Sequence, residues 1–314
     1  MEINARAYNT FELRPNGLIK KSSPTERLAD EIGYYRIVQR DINKSIFFPR
    51  LVASQMGNPN WILMERYGYK NLGEYLVGRA GTVPDWTELY TQLAMTLSQF
   101  EMFTDTQPGN SAYIIDMLIT KTEREMKALA DARPDLASLF TRDTVTLNGV
   151  VLTNFHKIWP EVSKYIMSDM LEYNSSMIHG DMCFSNILYE DGIMKFIDPR
   201  GSFGKKGIFG DIRYDVAKLY HSVDGGYEFL INDEYELITV EDQYTLYYSC
   251  NSIKAAAQQE FESMFLRGAF NKKHIKIIEG CIFIGMAARH YDSTLRQKAM
   301  YLIGVRLLNE AMKL

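Results

Sequence analysis

The sequence contains little that would place the protein outside a reducing compartment or inside a membrane. Only three cysteines occur among its 314 residues, Cys183, Cys250 and Cys281. They cannot all pair with one another and they show no metal-ligand spacing, which fits a reducing compartment. No signal peptide and no uninterrupted apolar span of membrane length is present. We therefore expect a cytoplasmic protein without membrane insertion.

An excess of positive charge is also missing. The chain has 35 Lys and Arg against 39 Asp and Glu, a net charge of −4. No basic face supplies the phosphate-neutralising charge that nucleic acids require, so we expect no nucleic-acid partner. Internal repeats, heptads and low-complexity tracts are not evident, which excludes solenoids and coiled coils. With 46% hydrophobic residues, a chain of this length can bury a large core and should divide into lobes.

Two neighbouring stretches hold the side chains that indicate chemistry. The first runs H-G-D-M-C-F-S-N and contains Asp181 and Asn186, and the second runs I-D-P-R-G and contains Asp198. Transfer of a γ-phosphoryl group needs one carboxylate to orient the attacking hydroxyl and accept its proton. It also needs an amide oxygen and a second carboxylate to hold Mg²⁺ on the ATP phosphates. Asp181, Asn186 and Asp198 fit these roles in that order.

The segment between these residues predicts a hairpin that brings the two metal ligands together. Residues 187–189 and 193–197 read as short strands, and Asp191-Gly192 is a strong two-residue turn signal between them. Antiparallel pairing about this turn places Asn186 opposite the neighbourhood of Asp198. Two oxygen ligands at one hairpin end suit a hard cation that keeps several waters.

The pattern H-G-D-x-x-x-x-N followed by I-D-P-R-G resembles the aminoglycoside phosphotransferase and choline kinase branch of the protein-kinase-like fold, over most of the chain. The resemblance implies that Asp181 is the catalytic carboxylate and that the His179 ring holds the catalytic loop. The segment G-D-I-R-Y-D-V-A at 210–217 is similar to a segment of the same branch, which implies that Asp215 braces the loop from a helix. The stretches Lys20-Lys21-Ser22 and Tyr34-Tyr35 also resemble phosphotransferase-like proteins of capsule and surface-polysaccharide loci.

A kinase site also needs a Lys on a strand paired with a Glu on a helix. Residues 11–14 and 18–21 read as a strand pair, followed by a helix that starts with Ser23 as its cap, Pro24 at its first position and Glu26 placed for a capping box. Glu31 lies inside the apolar stripe of that helix, and a buried carboxylate needs a cation. Lys20 is the predicted partner, and Lys21 is the alternative if the strand register is shifted by one residue.

The remaining nucleotide contacts are expected in the first part of the chain. Residues 48–52 and 61–64 read as further strands of the same sheet. Met64, Glu65 and Tyr67 mark the connector that, by the resemblance, hydrogen-bonds adenine through its backbone. The phosphate-covering loop is expected at residues 4–9, which contain no glycine.

These observations predict an α+β, bilobal protein-kinase-like fold with a small antiparallel-sheet N-lobe, residues 1–68, and a larger, mainly helical C-lobe, residues 69–314. Helices are expected after the capping signal at Asp85, over 114–129 and from Ser293 to Met312. Residues 131–166 show no clear periodicity.

The predicted function is an ATP- and Mg²⁺-dependent phosphotransferase acting on a hydroxyl of a small molecule such as a sugar or amino alcohol. A protein Ser/Thr kinase and a nucleotide-binding pseudokinase are the alternatives. Only sixteen residues separate Asp198 from Asp215, with four glycines and no A-P-E motif, which leaves little platform for a peptide. The sequence indicates neither the acceptor nor the oligomeric state.

Four further side chains near these motifs have two interpretations each. Cys183 is more simply a small packed residue than a nucleophile. Lys205 and Lys206 are expected to be solvated loop charges rather than substrate ligands. Arg200 is expected to contact either a phosphate or a structural carboxylate.

Overall fold

The structure is a computed structural model and describes residues 9–314. Its N-terminal part is an antiparallel sheet with strand order β1-β2-β4-β3 and a helix, α1, that packs against β3 and β4. The elements of this part are β1 (Thr10–Arg14), β2 (Leu18–Ser23), α1 (Glu26–Val38), α2 (Ile42–Ser45), β3 (Leu51–Gln55) and β4 (Asn60–Glu65).

The apolar stripe predicted for α1 is confirmed, because Leu28, Ile32, Tyr35 and Val38 are all buried. The predicted capping box is wrong. Ser23 is still paired with Asn60 as the last residue of β2, so it cannot act as the helix cap, and Thr25 precedes the first helical residue without a side-chain cap hydrogen bond.

Strand β3 lies about three residues later in the sequence than predicted. The strand expected over 48–52 is observed as Leu51–Gln55. Phe48 lies outside the sheet, where its ring packs against Tyr34 and Phe100. Burial of this aromatic side chain produces the same apolar signal as a strand.

The chain after β4 is mainly helical. Its α-helices are α3 (Leu72–Leu76), α4 (Trp86–Met102), α5 (Ser111–Ile114), α6 (Lys121–Ala132), α7 (Ala137–Thr141), α8 (Phe155–Tyr165), α9 (Ile212–Val223), α10 (Tyr227–Ile231), α11 (Asn251–Phe261), α12 (Lys272–Ala287) and α13 (Thr294–Met312). Short π-helical segments span Ile115–Thr120, Ile166–Met170 and Glu262–Leu266, and single 3-10 turns span Pro134–Leu136 and Phe184–Asn186.

Small sheets are inserted between these helices. Their strands are β5 (Lys70–Asn71), β6 (Thr144–Leu147), β7 (Val150–Thr153), β8 (Ser175–Met177), β9 (Ile187–Glu190), β10 (Ile193–Phe196), β11 (Ser202–Phe203), β12 (Lys205–Lys206), β13 (Phe209–Asp211), β14 (Tyr235–Val240) and β15 (Gln243–Tyr248). The strand orders are β10-β9-β5, β11-β12, β13-β8 and β14-β15-β6-β7.

Local sequence signals explain several of these elements. Asp85 caps α4 by accepting hydrogen bonds from the backbone N–H groups of Thr87 and Glu88, as predicted. The β9–β10 hairpin turns at Asp191 and Gly192, which both have a positive φ, the geometry of a two-residue turn that matches strand twist. Both predictions from the sequence are confirmed.

The centre of the helical part is the pair α12 and α13. Gly280 and Gly304 lie where these helices approach most closely, and a Cβ on Gly280 would meet Leu308 at 2.7 Å. Helix α12 also packs against α6 and α9, so these two helices rest on the same core. Among residues 9–314, no helix is both long and apolar enough to cross a membrane.

Candidate active site

The segment from His179 to Asn186 connects β8 to β9 and is held by hydrogen bonds from its own backbone. Asp215 on α9 accepts two of them, from the N–H of His179 at 2.6 Å and from the N–H of Gly180 at 2.7 Å. Both bonds are buried, so one carboxylate fixes the turn just before Asp181. This is the bracing contact that the resemblance implies for Asp215.

The His179 ring links this loop to the strand end that precedes Asp198. Its Nδ1 accepts the N–H of Asp181 at 3.2 Å, so Nε2 carries the proton and donates to the carbonyl of Ile197 at 2.9 Å. Burial lowers the pKa of His179 to about 4, so the ring is neutral at pH 7. Its role in this geometry is to join two segments and not to carry a proton.

Both carboxylate oxygens of Asp181 are paired with cations. Oδ2 lies 2.7 Å from the guanidinium of Arg27 on α1, and Oδ1 lies 2.9 Å from the ammonium of Lys218 on α9. Burial lowers the pKa of Lys218, but the attraction of Asp181 outweighs it and the net shift is upward. Asp181 is therefore held as a carboxylate, with 16% of its side chain exposed.

Sequence reasoning missed Arg27 and Lys218, although helical spacing pointed to both. Arg27 lies one turn before Glu31, and Lys218 lies one turn after Asp215. Residues one turn apart share a helix face, so each cation follows a residue already assigned to the site.

Asp198 follows β10 in a strained backbone conformation. Its φ is 59°, in the left-handed region that a residue with a side chain rarely adopts and that costs of order 1 kcal/mol or more. The strain turns its carboxylate toward Lys21, with Nζ to Oδ1 at 3.0 Å, and leaves 38% of the side chain exposed. Burial raises the pKa of Asp198, but Lys21 outweighs this and lowers it below the ordinary value.

The lysine that contacts Glu31 is Lys21, and the predicted contact with Lys20 is wrong. Lys21 Nζ lies 2.7 Å from Glu31 Oε2, and both side chains are about 95% buried. Lys20 points to the opposite face of β2, where its ammonium lies 3.8 Å from Glu12 and 5.3 Å from the centre of the Trp61 ring. Successive side chains of a strand alternate between faces, so a register error of one residue exchanges the two lysines.

The Lys21 ammonium is thus shared by two carboxylates, Glu31 on α1 and Asp198 after β10. Burial lowers the pKa of Lys21, but the two carboxylates raise it by more, so the ammonium stays charged. This charged group connects the N-terminal sheet, its helix and the strand end next to the catalytic loop.

Asn186 and Asp198 fit the ligand set of a divalent cation. The N–H of Ile197 donates to the carbonyl of Asn186 at 3.0 Å, which joins the two residues across the hairpin end. The side-chain nitrogen of Asn186 donates to the carbonyl of Asp181 at 2.8 Å, so the amide oxygen is the end directed elsewhere. Together with the exposed carboxylate of Asp198, this oxygen provides two ligands of the kind Mg²⁺ takes. Within residues 9–314, no cluster of three or more His, Cys, Asp or Glu side chains offers a different metal site.

The expected nucleotide connector lies at the end of β4. Met64 is buried in the strand. The carboxylate of Glu65 binds the Arg50 side chain at 2.9 Å, and the N–H of Glu65 donates to the carbonyl of Arg50 at 3.0 Å. The Tyr67 ring packs at 5.2 Å against Tyr69. The predicted phosphate-covering loop, apart from Asn9, lies outside the described residues.

The glycine-rich segment after Asp198 folds into a short ordered hairpin, β11–β12. Lys205 pairs with Asp105 at 2.7 Å and Lys206 pairs with Asp30 of α1 at 2.9 Å, so both exposed lysines are engaged in ion pairs. Gly201 has a φ of 71°, and a Cβ there would meet the carbonyl oxygen of Asp30 at 2.2 Å. The segment therefore packs directly on α1.

Cys183 is buried within the segment from His179 to Asn186. Burial raises the pKa of its thiol to about 12, so it is not a thiolate at neutral pH. The interpretation of Cys183 as a packed residue agrees with this environment.

The sequence matches no protein-family model and no curated protein. Solved structures do match. Glucosamine kinase in complex with glucosamine, ADP and inorganic phosphate superposes with a TM-score of 0.57 at 13% identity, over 97% of this chain and 81% of that chain. The chain has a protein-kinase-like fold. Aminoglycoside phosphotransferase APH(4)-Ia, in a ternary complex with AMP-PNP and hygromycin B, matches with a TM-score of 0.55 at 13% identity, over 98% of this chain and 93% of that chain. The fold class predicted from the sequence is confirmed.

Proposed function

We propose that the protein is an ATP- and Mg²⁺-dependent phosphotransferase that acts on a hydroxyl of a small molecule. The observation that carries this proposal is the Lys21 ammonium, which bridges Glu31 and Asp198 beside the braced carboxylate of Asp181. A buried cation shared by two carboxylates costs desolvation energy, and a fold that needed only stability would gain little from it. The same arrangement is what a kinase needs to receive the phosphates of ATP.

Each residue of the site has a role in this proposal. Lys21 binds the ATP phosphates, and Glu31 keeps its ammonium pointing into the cleft. Asn186 and Asp198 hold Mg²⁺, which would neutralise charge on the phosphates. Asp181 orients the acceptor hydroxyl and takes its proton. The backbone around Met64, Glu65 and Tyr67 contacts adenine.

A small acceptor is favoured over a peptide by the segment after Asp198. Its sixteen residues form the β11–β12 hairpin and the strand β13, which pairs with β8, and the hairpin packs on α1. This short, tied segment provides no extended platform for a peptide. The alternative of a pseudokinase is opposed by the presence of Asp181, Asn186 and Asp198 in one constellation.

Two finer expectations form part of the proposal. A lobe boundary after residue 68 falls in the connector between β4 and β5 and stays a prediction. A cytoplasmic role in surface-polysaccharide biosynthesis rests on the resemblance of Lys20-Lys21-Ser22 and Tyr34-Tyr35 to proteins of such loci. In this structure Lys21 contacts Glu31 and Asp198, and the two tyrosines are buried in the sheet–helix core.

The test is a phosphate-acceptor screen with purified protein, radiolabelled ATP and Mg²⁺. One arm contains sugars, polyols and amino alcohols, and the other contains a peptide library. We expect label to move to a small molecule in a reaction that requires Asp181, with the Asp181→Asn variant as the matched control. Peptide labelling that requires Asp181, with no labelled metabolite, would establish the protein-kinase alternative instead.

A further inference from the structure

A second group of cations lies beside the catalytic loop, around the hydroxyl of Tyr214. Lys121 at the start of α6 and Arg200 after β10 each place a side-chain nitrogen 3.4 Å from the Tyr214 hydroxyl oxygen. The two cationic nitrogens are therefore no more than twice that distance apart. Tyr214 itself is 3% exposed, and Lys121 and Arg200 are half-buried. The cluster is therefore partly shielded from solvent.

The positive charges of Lys121 and Arg200 have no carboxylate partner in the part of the chain that the structure describes. Among residues 9–314, neither side chain forms an ion pair with a carboxylate, whereas the nearby Lys218 pairs with Asp181 and Arg289 pairs with Glu125. Two like charges held close together and partly desolvated are unfavourable unless an anion joins them.

The ionisation of these groups reflects the same excess of positive charge. Burial lowers the pKa of Lys121, Tyr214 partly offsets this and Arg200 adds to it, so that the pKa is about 8. Burial raises the pKa of the Tyr214 hydroxyl, but Lys121 and Arg200 outweigh it and lower the value to about 8. At pH 7 the ammonium is still the main form of Lys121, so the excess is present under ordinary conditions.

The cluster lies next to the residue proposed as the base. The backbone N–H of Arg200 donates to the carbonyl of His179 at 2.8 Å. The Arg200 side chain crosses Gly180, where an added Cβ would meet it at 2.8 Å. Gly180 has a φ of 78° and precedes Asp181. On α9, Tyr214 lies one turn before Lys218, whose ammonium contacts Asp181 at 2.9 Å. An anion bound by Lys121 and Arg200 would therefore be adjacent to the Asp181 carboxylate.

We propose that Lys121 and Arg200 form an anion subsite for the acceptor, so that the molecule phosphorylated by this protein carries a phosphate or a carboxylate in addition to its hydroxyl. This inference rests on the proposed function, because it assigns the cluster to the acceptor of the Asp181-dependent reaction. Binding the anionic group at this subsite fixes the rest of the molecule and directs its hydroxyl to Asp181. A cationic amino sugar would be repelled by the same two charges.

Direct binding of a small anion tests the subsite without requiring the natural acceptor. The protein is first saturated with AMP-PNP and Mg²⁺, so that the nucleotide phosphates occupy their own site. Inorganic phosphate and acetate are then titrated separately by calorimetry, and the thermal unfolding midpoint is followed as each anion is added. The variants are Lys121→Met and Arg200→Gln, with Lys127→Met as the control because Lys127 is an exposed lysine on the same helix.

We expect saturable binding of at least one anion, weakened about tenfold or more in Lys121→Met and in Arg200→Gln and unchanged in Lys127→Met. The unfolding midpoint of the wild-type protein should rise with the anion, while that of Lys121→Met should not. Without anion, Lys121→Met should unfold at the same temperature as the wild type or higher, because a like-charge contact is removed. Preference for phosphate over acetate indicates a phosphorylated acceptor, and comparable binding indicates a carboxylate.

Four sugars that share the glucose scaffold then test whether the anion subsite binds the acceptor. Glucose 6-phosphate and glucuronate should bind the nucleotide-loaded protein more tightly than glucose, and glucosamine should bind least. The anion subsite is excluded if neither phosphate nor acetate binds, or if Lys121→Met binds both as the wild type does. The acceptor screen is therefore extended to glucose 6-phosphate, glucuronate and related sugar phosphates and sugar acids. Anion binding without phosphate transfer to any acceptor of this extended screen would overturn the proposed function and leave only an anion-binding site.

Discussion

At the scale of single residues, the proposed reaction depends on the carboxylate of Asp181, because its oxygens can accept a proton. The carboxylate is held between Arg27 and Lys218, and its orientation is set by the turn that Asp215 braces. Replacing it with an amide keeps the shape but removes the oxygen that accepts a proton. The geometry therefore separates the chemical role of Asp181 from its structural surroundings.

Asp181→Asn should retain the fold and nucleotide binding and lose turnover by about 10²–10⁴-fold, the usual contribution of a general base. The measurement is kcat with the acceptor found in the screen, together with calorimetric titration of AMP-PNP. A kcat near the wild-type value would contradict the assignment. Loss of nucleotide binding along with activity would indicate that the amide disturbs the contacts of Arg27 and Lys218.

The adjacent residues Lys20 and Lys21 provide a matched pair of variants on one strand. Lys21→Met should reduce kcat/KM by about 10²-fold or more, because it removes the buried cation that receives the ATP phosphates. Lys20→Met should leave activity unchanged, because Lys20 faces away from α1. Steady-state kinetics at varied ATP concentration measures both, and equal losses would contradict the assignment of Lys21.

A double variant tests whether Lys21 and Glu31 act as one unit. Residues in direct contact have strongly non-additive effects, so adding Glu31→Gln to Lys21→Met should cost far less activity than Glu31→Gln costs alone. Losses that simply multiply would mean that Glu31 serves another partner.

At the scale of elements, the β9–β10 hairpin determines where the two proposed metal ligands lie. Its register pairs Phe196 with Ile187, which brings the backbone of Ile197 to Asn186 and places Asp198 at the hairpin end. The turn residue Asp191 lies at the opposite end of the same hairpin and is exposed. The two aspartates thus share an element while only one is placed for a cation.

Asp198→Asn should weaken binding of Mg-ATP much more than binding of ATP in the presence of EDTA, because the charged ligand of the cation is removed. Asp191→Asn is the control, because Asp191 has no role in the proposed site. Asparagine also tolerates the positive φ of that turn. Calorimetric titration of both nucleotide forms gives the comparison. Equal weakening of the two forms by Asp198→Asn would mean that Asp198 acts only through Lys21.

At the scale of the whole molecule, a buried ionic cluster ties the end of α9 to α12 and α13. Asp224 is 4% exposed and lies 2.7 Å from the ammonium of Lys276 and 3.3 Å from the guanidinium of Arg306. Burial raises the pKa of Asp224, but these cations outweigh it and lower the pKa well below the ordinary range. The ionised form is therefore strongly favoured in the folded protein.

Asp224→Asn should lower the free energy of unfolding at pH 7 by about 3–5 kcal/mol, because it removes the buried carboxylate that pairs with Lys276 and Arg306 and leaves them only Glu310 among residues 9–314. Since the folded-state pKa is depressed, this contribution is present above the unfolded pKa of about 4 and is lost as the pH falls toward the folded value. Wild-type stability should therefore decrease below about pH 4 more steeply than that of Asp224→Asn.

Urea denaturation at several pH values measures this difference. The control is Asp131→Asn, whose exposed pair with Lys127 should contribute at most about 1 kcal/mol. A variant at Asp224 that is as stable as this control would contradict the proposed importance of the cluster.

The same scales show how far the sequence determined this protein. Local patterns were sufficient for the β9–β10 hairpin, for the capping of α4 and for the position of Asp181, Asn186 and Asp198. The signals lie within a few residues of one another in these cases, because turn chemistry and strand alternation act over short distances. The fold class followed from the family resemblance that these motifs carry.

Contacts between distant segments were decided by the tertiary structure. The choice of Lys21 over Lys20 depends on a register fixed by pairing with β4, and the cations on Asp181 come from helices far from it in sequence. The junction of Lys121, Tyr214 and Arg200 requires α6, α9 and the segment after β10 to meet on one core. The sequence specifies these side chains, but only long-range packing determines which charges face each other. The anionic acceptor that we propose follows from that packing.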